Sequence, residues 1–402
     1  MPVRAPRSGY LLLFSVLILS LAASLLATGL LQEAAAPVQP VGEPPVATLA
    51  AVGDTLVHTP EIAAAWDPGT KSHDFRPMFA LLKPVLERAD LAVAVLETTL
   101  GGPESGYTGY PRFNSPDQIA DALQWAGVDV VATAHNHMLD RGAKGLFRTI
   151  DYLDRIGLAH VGSARSPDPA ARFVLKEANG IRFAFLAYTT LTNGLPVPAA
   201  QPWSVNLYSQ KGMAADVGAA RLAGAEIVVC ALHTGTEYLR QAEPAQRVLV
   251  EQIVKAGVDI VLCSHPHVIR PQELRSWLEP DGTARTAFIA YSLGNLLSNQ
   301  RQRYSDCGLI VWVTVARRPD GRAQVAAARW QPLWVHKYPA NGRSQFRIIP
   351  VDATTASAFA GDKSLTAADR RRLAQVWEET LALLGREQEL AAKTQPEAAR
   401  EE

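Results

Sequence analysis

Five polar clusters stand just past apolar runs in this chain: Asp54, Glu97, Asn136-His137, His233 and His265-Pro266-His267. In α/β sheets, ligand-binding groups gather beyond the carboxyl ends of the strands, so these five loops can converge. Together they offer two carboxylates, an amide oxygen and several imidazoles. That is a donor set for one or two divalent cations such as Zn²⁺, Mn²⁺ or iron. A carboxylate shared by two ions about 3.5–4 Å apart is a common means of activating water for in-line attack. Taken singly, each residue has a plainer reading: Asp after a strand caps or turns the chain, and Asn bonds to its own backbone. Six of the nine histidines (His58, His135, His137, His233, His265 and His267) fall in this set, and that concentration carries the metal reading.

The elements that must position these residues follow from hydrophobic patterning. Apolar runs at Val46–Val52, Leu91–Leu96, Val128–Thr133, Phe183–Tyr188, Ile227–Leu232, Ile260–Cys263 and Phe288–Leu293 read as buried strands. Between them, Asp117–Trp125, Ala143–Ile156 and Glu243–Ala256 carry helical spacing, the first two stopped by Gly127 and Gly157. Strands alternating with helices predict an α/β sandwich. After Asn295 the pattern changes to antiparallel strands at Leu309–Val315, Val325–Trp334 and Phe346–Val351, with a turn at Pro319-Asp320-Gly321. From Ala367 the sequence predicts an amphipathic helix to about Leu384, and a frayed end beyond Gly385.

Composition narrows the function. The 39 basic and 39 acidic residues balance, so no global field draws in nucleic acid, and none is expected as a partner. The three cysteines, Cys230, Cys263 and Cys307, lie in or beside apolar runs and read as buried thiols rather than a disulfide framework. Ser8 to Gln32 contains no charge and follows Arg4 and Arg7, which predicts a transmembrane helix with its N-terminus inside. Ala34-Ala35-Ala36 also fits the cleavage site of a signal peptide; either way the remainder is exported. The expected organisation is an anchor over 1–33, a Pro/Ala-rich linker over 34–45, a main domain over 46–355, and a C-terminal helix with its tail over 356–402. The expected location is the cell membrane, crossed once, with the main domain outside the cytoplasm.

Beyond these patterns, the segments Gly53-Asp54-Thr55-Leu56-Val57-His58, Leu96-Glu97, Ala134 to Gly142, His233 to Tyr238, Ser264 to His267 and Tyr291 to Asn295 occur in the order found in CapA-type capsule proteins. Over roughly residues 46 to 300 the chain resembles that family, a branch of the calcineurin-like metallophosphoesterases. The resemblance implies a four-layer α/β/β/α sandwich with metals at the strand ends. It also implies a role in making, attaching or exporting poly-γ-glutamate or a related envelope polymer. Carried over residue by residue, Asp54, His58 and His267 hold a first metal, Glu97 bridges, and Asn136, His233 and His265 hold a second. His137 matches the histidine that acts on the leaving group. Asp140 orients His137 or, in preference, caps the next helix. Glu237 and Tyr238 touch substrate, although Glu237 equally fits a helix start; Glu273 and Asn295 are placed on the rim.

Two positions depart from the family's pattern. Val95 stands where an asparagine is usual, which removes a hydrogen bond behind the metal site. His135 stands where a second asparagine is frequent. Two functions follow from the resemblance: a metal-dependent hydrolase or transferase, or a non-catalytic scaffold that binds polymer or holds a membrane synthase complex. A nucleotide phosphatase would need a base-stacking pocket, which the sequence does not place.

Overall fold

The computed structural model describes residues 45–279, 282–340, 342–386 and 388–391. The expected membrane anchor, and the linker up to Pro44, lie outside them. Among the described residues no helix is long and apolar enough to cross a membrane. The chain begins with β1 (Val46–Thr55), α1 (Thr59–Ala65), the small hairpin β2 (Trp66–Asp67) and β3 (Ser72–His73), and the short helices α2 (Arg76–Phe79) and α3 (Lys83–Leu86). It continues through β4 (Leu91–Val95), α4 (Gln118–Trp125), β5 (Val130–Ala132), α5 (Gly142–Ile156) and β6 (Ala159–Val161). Then come β7 (Val174–Ala178), β8 (Ile181–Thr189), α6 (Gln210–Leu222), β9 (Ile227–His233), α7 (Pro244–Lys255), β10 (Ile260–Ser264), β11 (Gln272–Leu278) and β12 (Ala284–Ala290). The last part is β13 (Asn295–Leu297), β14 (Cys307–Arg317), β15 (Ala323–Ala340), β16 (Arg343–Pro350), α8 (Thr355–Ala358), α9 (Ala367–Leu384) and β17 (Glu389–Ala391).

Two mixed sheets result. The first has the order β16-β15-β14-β1-β4-β5-β6, with β13 paired to β1 and β17 to β15; the second runs β11-β12-β10-β9-β8-β7. One apolar cluster joins the facing sides of both sheets, including Leu49, Val93 and Val130 from the first and Phe185, Val229 and Leu262 from the second. The opposite face of the first sheet packs Ala50, Val52 and Val131 against Phe79, Leu123 and Leu153 of its helices. The opposite face of the second packs Val228, Cys230 and Val261 against Met213, Val217, Val250 and Ile253. Each sheet is thus covered on both faces, which explains why its strands read as continuous apolar runs rather than alternating ones. The layer order is helix, sheet, sheet, helix.

Two glycines fix the point where β1 hands over to the site. A Cβ on Gly53 would lie 1.9 Å from the Gly294 carbonyl oxygen, so no side chain fits there. Gly294 has φ of +68°, a conformation that glycine adopts without steric cost, and its carbonyl accepts from Asp54 N–H at 2.9 Å. Asp54 is thereby locked opposite Asn295. At the other end of the chain, Thr366 and Asp369 close a capping box that starts α9. The frayed end expected beyond Gly385 is overturned for three residues: Glu389–Ala391 pairs antiparallel with Ala327–Arg329, satisfying backbone groups on β15.

Candidate metal centre and cleft

The strand ends of the two sheets bring opposite chemistry together. The first sheet supplies Asp54 at the end of β1, Glu97 just past β4, and Asn136 and His137 past β5. The second supplies His233 as the last residue of β9, and His265 and His267 past β10. Asp54 and Glu97 are wholly inaccessible to solvent, as are His233, His265 and His267 to within 5%. Across the sheets, His265 N–H donates to Asp54 Oδ2 at 3.0 Å, and His267 Nδ1 lies 3.5 Å from the same oxygen. His265 and His267 take φ of 94° and 57°, a strained backbone for non-glycine residues that turns both imidazoles toward the carboxylates.

Several polar atoms of this cluster are left unanswered. Neither oxygen of Glu97, nor Asp54 Oδ1, nor His265 Nδ1 has a hydrogen-bond partner. Burial raises the Glu97 carboxyl well above its usual range, with His267 opposing and Asp54 reinforcing that shift. For Asp54, burial is outweighed by the hydrogen bond and charge of His267, by His233 and by the His265 N–H, and its carboxyl is lowered. Burial pushes His233 down to about 3 and His265 down to about 2, so both are neutral and suited to ligation. His267 alone rises, to about 9, because Glu97 and Asp54 outweigh its burial. Two buried carboxylates with unpartnered oxygens and one counter-charge fit a cation, because unpaired buried charge is otherwise costly. Three groups of side chains have ligand atoms mutually within 4.8 Å: Asp54, Glu97 and His267; Glu97, His233 and His265; and Glu237, His265 and His267. Glu97 belongs to the first two, which is where a bridging carboxylate would stand.

The neighbouring amides are oriented for the same role. Asn136 Nδ2 donates to Asn193 Oδ1 at 3.2 Å, which leaves Oδ1 facing His233 Nε2 at 2.9 Å. His233 Nδ1 is held by Ser264 Oγ at 2.8 Å, so Nε2 faces the Glu97 side, 3.5 Å from Oε1. His58 is different. Its Nδ1 accepts from Asn299 N–H at 3.3 Å, and it joins none of the three groups, although it lines the same cavity.

Several expectations need correction. Asp140 does not cap α5, whose N-cap is Arg141 with no side-chain bond. Instead Asp140 Oδ2 bonds His137 Nδ1 at 2.8 Å and accepts Phe113 N–H at 2.7 Å. Asn295 is not on a rim but fully buried beneath the site. Its Oδ1 lies 3.1 Å from His267 Nδ1, and its Nδ2 donates to Gln300 and to the Ser305 carbonyl. Glu273 is elsewhere, accepting from Arg275 and from Tyr291 OH at 2.7 Å, and it lines no cavity of the site. Val95 is buried in the core between the sheets and offers Glu97 no hydrogen bond. His135 is buried with its Nδ1 accepting from His137 N–H at 3.2 Å, outside the three groups.

Above the cluster lies a cavity of about 780 Å³ lined by His58, Phe113, His137, Tyr238, His267 and the segment Asn299–Gln302, among others. A second cavity of about 290 Å³ is lined by Arg112, Asn136, Asp140 and Asn193, and it shares Tyr110, His137 and Glu237 with the first. Sequence reasoning missed Tyr110, Arg112, Phe113, Asn193 and Gln300 to Gln302. The long connection from Leu96 to Asp117, rich in glycine and proline, was the available signal, since long ordered loops are commonly functional. Phe113 is fully buried there, edge-on to His58 and to His137 at centroid distances of 5.2 and 4.7 Å.

Fold and site together define a four-layer α/β protein with a buried acid–imidazole cluster at the strand ends. Residues 48–300 match the family described as bacterial capsule synthesis protein PGA_cap, and this chain belongs to it. The capsule biosynthesis protein CapA of Bacillus anthracis is 30% identical over 195 residues, 47% of this chain and 44% of that protein. The PGA biosynthesis protein CapA of Bacillus subtilis is 27% identical over 219 residues, 52% and 51% of the two. The chain therefore spans about half the length of the curated relatives it matches. Among solved structures, the calcineurin-like phosphoesterase YfkN from Bacillus subtilis covers 84% of this chain and 98% of its own, at 14% identity and a TM-score of 0.41.

Proposed function

We propose that this chain is a metal-dependent hydrolase or transferase acting outside the cytoplasm on poly-γ-glutamate or a related capsule polymer, in its synthesis, attachment or export. The observation that carries the chemistry is the pair of buried carboxylates, Asp54 and Glu97, whose unpartnered oxygens face three imidazoles under a cleft. The polymer is supported by family membership and by the capsule and PGA names of the relatives. The location is supported by Arg4 and Arg7 ahead of an uncharged span that would anchor the chain in the membrane, where a synthase complex is a candidate partner.

Asp54, Glu97 and His267 would hold one divalent ion (Mn, Zn or Fe), and Glu97, His233 and His265 with Asn136 a second. When bound, such ions supply Lewis acidity and bring the acidity of a water toward neutrality. The protein's own contribution centres on His137. Asp140 holds its Nδ1, which leaves Nε2 as the nitrogen that would hand a proton to the leaving group. Phe113 keeps the ring in place from the side, and Thr99 Oγ1 pins the His137 carbonyl at 2.8 Å. The fixed rotamer spares the orientational cost at the moment of reaction.

A second reading, a non-catalytic polymer-binding scaffold, has one observation in its favour: Val95 leaves Glu97 without the hydrogen bond that would steady it. Metal analysis of the purified chain, with a hydrolysis screen across phosphoesters and γ-glutamyl peptides, tests the proposal. Stoichiometric metal and turnover are expected, and a chain that binds no metal would end the enzymatic reading. A reporter fused after Leu384 is expected to work only as an exported enzyme; cytoplasmic reporter activity would overturn the location.

A further inference from the structure

The two cavities meet at His137, Tyr110 and Glu237, so whatever reacts there has room on both sides. Each lobe carries one arginine. Arg301 lines the larger, steadied by the carbonyls of Ser298 at 3.2 Å and Gln300 at 2.6 Å. Arg112 lines the smaller. Among the described residues neither forms an ion pair with a carboxylate, whereas Arg148, Arg270, Arg347 and Arg372 all do. The exposed carboxylate at the junction, Glu237, has a ligand oxygen within 4.8 Å of those of His265 and His267, and so belongs with the donor set. Tyr110, 75% exposed, stands between the lobes as an aromatic wall. Arg301 lies just past residue 300, where the family match stops, so this wall of the cleft is supplied from outside the matched segment.

We infer that the cleft binds an anionic chain across its middle, with Arg301 and Arg112 as specificity-determining residues for acidic groups on opposite sides of the bond at His137. This rests on the polymer reading above and deepens it: the chain would be engaged internally rather than at a terminus. Because the Arg301 lobe is larger, more of the ligand lies on that side. Guanidinium groups suit this task, being permanently charged and able to grip a carboxylate with two parallel bonds.

Binding decides the matter without any need for turnover. Oligo-γ-glutamates of defined, increasing length are titrated into the full chain by calorimetry, alongside the same oligomers amidated to neutral γ-glutamine. Affinity is expected to rise with length until both lobes are filled, for the acidic series only. Arg301→Gln and Arg112→Gln are each expected to weaken the longest acidic oligomer about tenfold, and the double variant to abolish the length dependence. Arg301→Lys, which keeps the charge but not the two-bond grip, should bind between wild type and Arg301→Gln, and an unchanged melting temperature reports that the fold is intact. Length-independent binding, equal binding of the neutral series, or an Arg112→Gln variant that binds as wild type would overturn the inference while leaving the polymer reading standing. Failure of the wild type to bind any acidic oligomer would remove the polymer reading and the inference with it. Binding as expected without turnover would remove only the hydrolase.

Discussion

Two regions of this molecule bury charge, and they do so in opposite ways. Near the C-terminal helix, Asp306 receives Arg372 through two bonds of 2.7 and 2.9 Å, and Trp334 Nε1 at 3.0 Å. Close by, His336 is stacked between Trp334 and Tyr338 and accepts from Arg347 Nε at 3.1 Å. The Asp306 charge is answered within the protein, and burial keeps His336 neutral. At the strand ends, Asp54 and Glu97 are more deeply buried, yet three of their four oxygens accept no hydrogen bond. A self-neutralised cluster holds a fold together; a more deeply buried one without such partners fits a cation from outside. A missing partner does not by itself mark the site, since Glu61 is also fully buried with both oxygens unpartnered; the strand ends stand apart because two such carboxylates are grouped there with three imidazoles.

The largest expected effect breaks the unbalanced side. Glu97→Gln is expected to abolish stoichiometric metal and turnover, because Glu97 is common to two donor groups. The metal-free variant should melt no lower than metal-free wild type, because burial already favours the protonated, uncharged carboxyl that glutamine mimics. A clear loss of apo stability would show that Glu97 is answered by the protein after all. His137→Ala comes next. Turnover should fall by about 10²–10⁴-fold with metal content unchanged, the usual worth of a positioned acid–base group. Loss of metal would make His137 a ligand, and unchanged polymer production would favour the scaffold.

The balanced side should respond in stability instead. Asp306→Ala leaves Arg372 paired with Glu379 and Trp334 Nε1 without its acceptor, and should cost about 1–3 kcal/mol in denaturant unfolding, with metal content and turnover per folded molecule intact. The smallest effect is a pH dependence at His336. Burial, with Arg347 adding to it against Asp369, lowers its imidazole from about 6.5 to about 4. Between those values the unfolded chain takes up a proton that the folded chain refuses, so this residue's contribution to stability falls as pH drops from about 6.5 toward 4. His336→Phe should flatten that part of the stability profile; an unchanged profile would place the acid sensitivity elsewhere.

How much of this was legible in the sequence follows from which interactions are local. Apolar runs ending in Asp54, Glu97, Asn136, His233 and His265 marked the strand ends, because strands covered on both faces must be apolar until they emerge. The identities of the donors pointed to a candidate ligand group, and His336, in mid-strand, was never part of it. The sequence likewise anticipated the antiparallel ladder after Asn295 and helix α9, whose patterns are short-range. Which group meets which was another matter. Asp54 and His265 are 211 positions apart and touch only because the two sheets pack face to face. Asp140 is three residues from His137, yet its choice between capping a helix and holding that ring was decided by Phe113, whose N–H arrives from a distant loop. The same packing took Glu273 away from the cleft, sank Asn295 beneath it and brought Tyr110, Arg112 and Arg301 to its walls. Periodicity reports which face of an element is buried, but the partner waiting there is set by the assembly of all the layers at once.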